Sequence, residues 1–157
     1  MITMTRIDYR LLHGQVAFAW TNNLSANAIL IANDEVANDV FRKKTFQLAK
    51  PDNAKLIFKT IEDSAKAIAS GVTDKYRVFI VVETITDAYR LAMKVPEIKV
   101  VDLGLANDKD GAINIAKSVY VTKKEIKQLT ELEDKGVQVL VKQAPGDSDI
   151  EFSSLIK

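Results

Sequence analysis

His13 is the only histidine in the chain, and it stands in the run Arg6-Ile7-Asp8-Tyr9-Arg10-Leu11-Leu12-His13-Gly14-Gln15-Val16, shortly after an arginine and directly before a glycine. A neutral imidazole nitrogen is a nucleophile. A nearby guanidinium disfavours the charged imidazolium and can grip a phosphoryl group through two parallel hydrogen bonds. Arg10 is placed for that work, and Asp8 is placed to orient either His13 or Arg10. Gly14 lets the backbone approach a ligand closely, and the unpaired N–H groups of a helix opening at Gly14-Gln15 form an anion seat. The competing account is an incidental loop histidine among solvated charges, and spacing alone does not exclude it.

These residues need a frame. Ile2 to Ile7 has the β-branched content of a strand, and Gln15 to Trp20 carries apolar residues at helical spacing, so the histidine falls in a strand-to-helix turn. The alternation continues along the chain. Short apolar runs at Ala28–Ala32, Lys55–Lys59, Arg77–Val82, Ile98–Leu103, Ser118–Val121 and Val137–Lys142 predict strands, of which Arg77–Val82 is the most hydrophobic and the central candidate. Between them fall helical stretches over Gly14–Leu24, Glu35–Ala49, Thr60–Ala69, Thr84–Lys94 and Thr122 to Gly136. The second of these, capped by Asn33-Asp34, is expected to bury Val36, Val40, Phe41 and Leu48. Trp20 reads more readily as core than as a ligand platform.

Repeated strand–helix–strand units with short connections predict an α/β protein built on one doubly wound, mostly parallel sheet with helices on both faces. Ligands of such sheets bind beyond the carboxyl ends of the strands, where chain order reverses. His13 follows the first strand, which puts it at that edge. If the first and fourth strands flank the switch point, Thr84 and Thr86 face His13 and offer hydroxyls to phosphoryl oxygens. Helix capping is the plainer role for both, as for Asn33 and Asp34. Gly104, after the fifth strand, serves a turn on this reading, and the alternating last strand is a candidate edge on which copies of the chain can pair.

Composition narrows the function classes. A chain of 157 residues with 47% hydrophobic and 27% charged residues suits one soluble domain over 1–157. A net charge of +1 argues against a general nucleic-acid or anionic-membrane binder, so any membrane contact is expected to go through a protein. With one histidine and no cysteine, a multi-histidine or thiolate metal site is excluded within the chain, and no cofactor motif such as G-x-G-x-x-G follows the first strand. No apolar run approaches the roughly 18 residues of a membrane span. Met1 to Arg6 has no signal-peptide core, so a cytoplasmic location is expected.

The run Arg-Ile-Asp-x-Arg-Leu-x-His-Gly-Gln-Val followed by Trp20 resembles the opening of the IIB components of the mannose/fructose/sorbose family of the sugar phosphotransferase system. Asn33 to Ala37, Asp39, Arg42-Lys43, Ala49 and Pro51 resemble that family's second block, and Gly136-Val137 with the alternating residues after it resembles its closing strand. The resemblance implies a cytoplasmic phosphoryl carrier, peripheral to a membrane transporter. It would take a phosphoryl group onto His13 from a phosphorylated IIA protein and give it to a sugar held by membrane IIC and IID subunits. It also suggests attachment at Nδ1, a choice the residues themselves leave open. Three departures stand out: Tyr9 where many members carry an acidic or small polar residue, Leu105 in place of a second glycine, and Ala112 where some members carry lysine.

On this reading the catalytic residues are His13, Arg10 and Asp8, and the phosphoryl-binding residues are Gly14, Gln15, Thr84 and Thr86. The alternative is a non-catalytic α/β module that holds a phosphorylated ligand at the same helix terminus. Docking of partners over His13 is expected to use Arg6 and Arg10, with Lys43 or Lys44, as exposed basic contacts.

Overall fold

The computed structural model of the protein describes residues 1–156. Strand β1 (Ile2–Asp8) leads through helix α1 (Gly14–Asn23) to β2 (Ala28–Ala32), and α2 (Val40–Ala49) leads to β3 (Lys55–Lys59). Then come α3 (Ile61–Ala69), β4 (Val78–Val82), α4 (Ile85–Lys94) and β5 (Val100–Leu105). A small hairpin of β6 (Ile113–Ala116) and β7 (Val119–Val121) precedes α5 (Lys123–Asp134) and β8 (Gln138–Leu140).

Six strands form one sheet in the order β3-β2-β4-β1-β5-β8, and each neighbouring pair is parallel. The chain first winds one way, from β1 to β2 and β3, and then back across to β4, β5 and β8. With right-handed crossovers this reversal sends helices to opposite faces. The side chains record it. Leu12, Ala17 and Trp20 pack on Ile29, Ile31, Phe79 and Val81, with Phe46 of α2 against the same cluster. Ile61, Ile68, Leu91, Leu129 and Leu132 pack on the opposite set, Leu30, Ile80 and Val82. Successive residues of β2 and β4 thus serve different cores, which is why these strands read as unbroken apolar runs rather than alternating ones.

The helix boundaries follow their caps. Thr60 and Thr84 accept from the amides of Asp63 and Asp87 at the starts of α3 and α4. Thr122 and Glu125 form a reciprocal capping box on α5. The segment after β2 departs from expectation. Asn33 Oδ1 accepts from the amides of Glu35 and Val36 and starts only a single 3-10 turn over Val36–Asn38. Asp39 then caps a separate helix at Arg42, which shortens and rotates α2. Val36 is buried as expected, but Val40, Phe41 and Leu48 are 66%, 80% and 90% exposed. Asp34 caps across space instead, accepting from the Ile61 amide.

The sheet positions a buried ion pair. Arg6 of β1 reaches across to Asp102 of β5, Nη1 to Oδ2, at 2.5 Å, and its side chain is 3% exposed. Gly104, expected in a turn, lies within β5 because that guanidinium occupies the space above it. A Cβ on Gly104 would fall 2.3 Å from Arg6 Cζ. A glycine inside a strand often marks such an approach. Gly104→Ala is therefore expected to destabilise the fold by about 3 kcal/mol through overpacking. Urea unfolding of the variant measures it, and an unchanged midpoint would mean that Arg6 has room to move aside.

Candidate functional site

β1 ends at Asp8, and the loop that follows turns on its own hydrogen bonds. Leu11 N–H donates to Asp8 O at 2.8 Å, while the Arg10 amide donates to Asp8 Oδ1, also at 2.8 Å. Leu11 takes a left-handed conformation at φ 60 with its side chain buried, an uncommon state for a large residue and a sign of a loop held by its surroundings. Leu12 is buried beside it. Two anchored leucines thus leave the next residue, His13, pointing out.

His13 occupies the N-cap position of α1 with an extended backbone, φ −139 and ψ 110, and makes no side-chain capping bond. Its imidazole is exposed and uncommitted. Gly14 follows at φ +50, a conformation glycine takes without penalty, and both Gly14 and Gln15 are exposed. The first-turn amides of α1 therefore face outward without a side-chain acceptor, as a helix N-terminus that binds an anion requires.

Asp8 settles on the arginines. Its side chain is 3% exposed and sits between Arg10, whose Nε lies 3.5 Å from Oδ1, and Arg6, whose Nη2 lies 3.8 Å from Oδ2. Arg10 remains 31% exposed at its side chain, held at its root while its far nitrogens reach solvent. Below the loop, Arg6, Asp8, Leu12, His13 and Trp20 line a narrow cleft of about 10 Å³, room for about one water molecule.

Arg6 departs from its expected role. It is 2% exposed and cannot be a basic contact for a docking partner. Nη1 donates to Asp102 Oδ2 and to the Lys142 carbonyl at 3.0 Å, and the guanidinium lies 5.3 Å from the centre of the Trp20 ring. Nε and Nη2 make no hydrogen bond among the described residues. Burial pushes the Asp102 carboxyl up to about 6, against the pull of Arg6 and of the Lys142 amide. Trp20 is core, 3% exposed, and its Nε1 donates to Gln143 O at 3.2 Å.

β4 does lie beside β1, so the condition that brings the Thr84 loop to the His13 edge is met. The threonine side chains serve the fold there. Thr84 Oγ1 accepts from the Asp87 amide, and Thr86 Oγ1 donates to Gln128 Oε1 on α5 at 3.0 Å. The residue that the reading of the sequence overlooked is Asp102. Its signal was present, since a carboxylate within Val100-Val-Asp-Leu-Gly-Leu105 must find a buried cation. No group of acidic, histidine or cysteine side chains suited to a metal occurs among the described residues.

Fold and loop together define a parallel α/β domain that presents a lone imidazole, a tethered guanidinium and a helix N-terminus at the switch edge of its sheet. Residues 2–157 match the family described as the PTS system sorbose subfamily IIB component. The chain is 30% identical to a probable phosphotransferase enzyme IIB component of Streptococcus pyogenes, covering 99% of each. It is 30% identical to the mannose-specific EIIAB component of Escherichia coli, covering 99% of this chain and 48% of that one. It superposes on the IIBSor domain of the Klebsiella pneumoniae sorbose permease with a TM-score of 0.93 at 26% identity, over 99% of this chain and 96% of the other. The chain belongs to the sorbose-subfamily IIB components of the sugar phosphotransferase system.

Arg6→Glu, expected from the sequence to leave melting unchanged, should instead remove about 4 kcal/mol of stability, because it sets a third carboxylate against buried Asp8 and Asp102. Lys44→Glu, at an exposed site, should change stability by less than about 0.5 kcal/mol. Equal unfolding midpoints for the two variants would contradict the burial of Arg6.

Proposed function

We propose that the chain is a phosphoryl carrier in sugar uptake, a protein-phosphohistidine–sugar phosphotransferase in which His13 is the carrying residue. The observation that supports this most is the contrast within one loop: His13 is exposed and makes no side-chain capping bond, while Arg10, three residues before it, is tied to Asp8. The lone pair on the unprotonated nitrogen of His13 attacks the phosphorus of a phosphohistidine on a IIA protein. The donor P–N bond breaks, and its electron pair returns to the donor imidazole. Arg10 and the amides of Gly14 and Gln15 spread the charge on the equatorial oxygens, so that catalysis is chiefly positioning and electrostatics. In the second transfer a sugar oxygen attacks the phosphorus, the pair of the P–N bond returns to His13, and the hydroxyl's proton is taken up by the imidazole so freed.

Asp8 acts in this scheme as a positioning residue, because it touches Arg10 and not the imidazole. Thr84 and Thr86 are given no part in the phosphoryl seat, since the Thr84 hydroxyl caps its own helix and the Thr86 hydroxyl is bonded to Gln128 of α5. The partners are a phosphorylated IIA protein or domain, membrane IIC and IID subunits, and the sugar. The fused name EIIAB of the E. coli relative, of which this chain spans 48%, supports a IIA donor. No helix among the described residues is long and apolar enough to cross a membrane, in keeping with a cytoplasmic chain that works as one domain beside its transporter.

Incubation with a phosphorylated IIA donor is expected to add one acid-labile, alkali-stable phosphate, which His13→Ala abolishes. Phosphate still accepted by that variant, or a phosphorylated ligand bound without any P–N bond, would overturn the carrier reading. Arg10→Lys keeps the charge and loses the planar fork, and should slow transfer about a hundred-fold. Its unfolding midpoint should stay near that of the parent, and an unchanged rate would make Arg10 a bystander.

A further inference from the structure

α2 carries a face that the rest of the chain does not cover. None of its ten residues is buried, and by helical spacing Val40, Phe41, Lys44 and Leu48 share its outward side. Three of these are apolar and 66%, 80% and 90% exposed. Only Phe46, on the inward side, packs on the core beside the α1 cluster.

The charge of this helix is one-sided. Arg42, Lys43, Lys44 and Lys50 fall between Asp39 and Asp52 with no carboxylate among them, although the whole chain carries a net charge of only +1. No described acidic side chain forms an ion pair with any of the four. Arg42 stands 5.8 Å over the Phe46 ring, and Lys50 donates to the Ala54 carbonyl, while Lys44 is exposed within the apolar stripe and Lys43 is half-buried at its flank.

We propose that α2 is an interfacial anchor that seats the protein on an anionic phospholipid surface. Phe41, Leu48 and Val40 enter the boundary between headgroups and acyl chains, and Lys43 and Lys44 meet the lipid phosphates. Apolar residues on one side of a short helix with unpaired cations beside them are the pattern of helices that lie in the plane of a bilayer. A second copy of the chain fits less well. Lys44 lies between Val40 and Leu48, so antiparallel pairing of two α2 helices would bring two lysines together near the symmetry axis, over a contact of only three apolar side chains. α2 and the His13 loop begin at the same carboxyl edge of the sheet, after β2 and β1, with only β4 between those strands. A chain held by α2 thus presents that edge close to the bilayer. The inference does not depend on the chemistry at His13.

Flotation of the purified protein with vesicles tests it, using phosphatidylcholine alone and phosphatidylcholine mixed with phosphatidylglycerol. Binding is expected to the mixed vesicles only and to weaken as salt rises. Phe41→Ser with Leu48→Ser, and separately Lys43→Glu with Lys44→Glu, should each reduce it at least about ten-fold while the unfolding midpoint stays unchanged. Absence of binding to the mixed vesicles, or binding that both double variants retain, would overturn the proposal. So would a dimer in sedimentation that Phe41→Ser with Leu48→Ser dissolves, because a second copy would then be the occupant of this face. Loss of a IIC and IID complex in detergent by these variants, without any vesicle binding of the parent, would assign the face to a protein and overturn it equally.

Discussion

Arg6 and Asp102 form the contact on which the functional edge of this molecule rests. Two opposite charges placed in a sheet interior lose most of their hydration, and their attraction offsets that loss only with close geometry and further hydrogen bonds. Both conditions are met. The pair is direct, Lys142 contributes a carbonyl to Arg6 and an amide to Asp102, and Gly104 leaves room for the guanidinium. Three strands are joined in this way, since Arg6 is in β1, Asp102 is in β5, and Lys142 follows β8. Trp20 closes the arrangement from α1, between Arg6 at 5.3 Å and Lys142 at 5.8 Å from its ring. The helix whose first turn faces solvent beside His13 is therefore fixed at its second turn to the same cluster.

The chain of constraint runs outward from there. Arg6 lies near Asp8, Asp8 holds Arg10 through its amide and its Nε, and the two buried leucines that follow leave His13 exposed. Internal contacts therefore decrease along the loop toward the imidazole. This suits a residue proposed to meet two different partners, because the seat must hold its shape while the nucleophile keeps no internal hydrogen bond to break.

The parallel sheet was legible because strands such as β2 and β4 are continuous apolar runs and three of the five described α-helices begin at threonine caps, signals that are local in the chain. β2 and β3 fall at the residues their composition marks, and Thr60, Thr84 and Thr122 start helices as expected. Failures occur where a distant partner decides. Arg6 reads as a surface cation until Asp102 stands beside it, and Gly104 reads as a turn until Arg6 lies over it. β6 escaped notice because Ile113-Asn-Ile-Ala116 is short and paired only with β7 in a hairpin outside the main sheet. In α2 the apolar pattern was seen and its direction misjudged, since Asp39 restarts the helix after a 3-10 turn and changes which side meets the core.

The geometry also bears on where sugar choice lies. The cleft beneath His13 has room for about one water, and its lining is mostly hydrocarbon around Arg6, Asp8 and His13. A sugar ring has no seat within it, so in the proposed cycle the acceptor hydroxyl must arrive on another protein while His13 contributes only the phosphoryl group. Nothing in such a transfer depends on the remaining hydroxyls of the sugar. Relatives whose names carry mannose and sorbose match the present chain at 30% and 26% identity. Selection by sugar would act on the surface that receives His13, and the fold described here is constrained chiefly by the need to hold an imidazole outward from a buried ion pair.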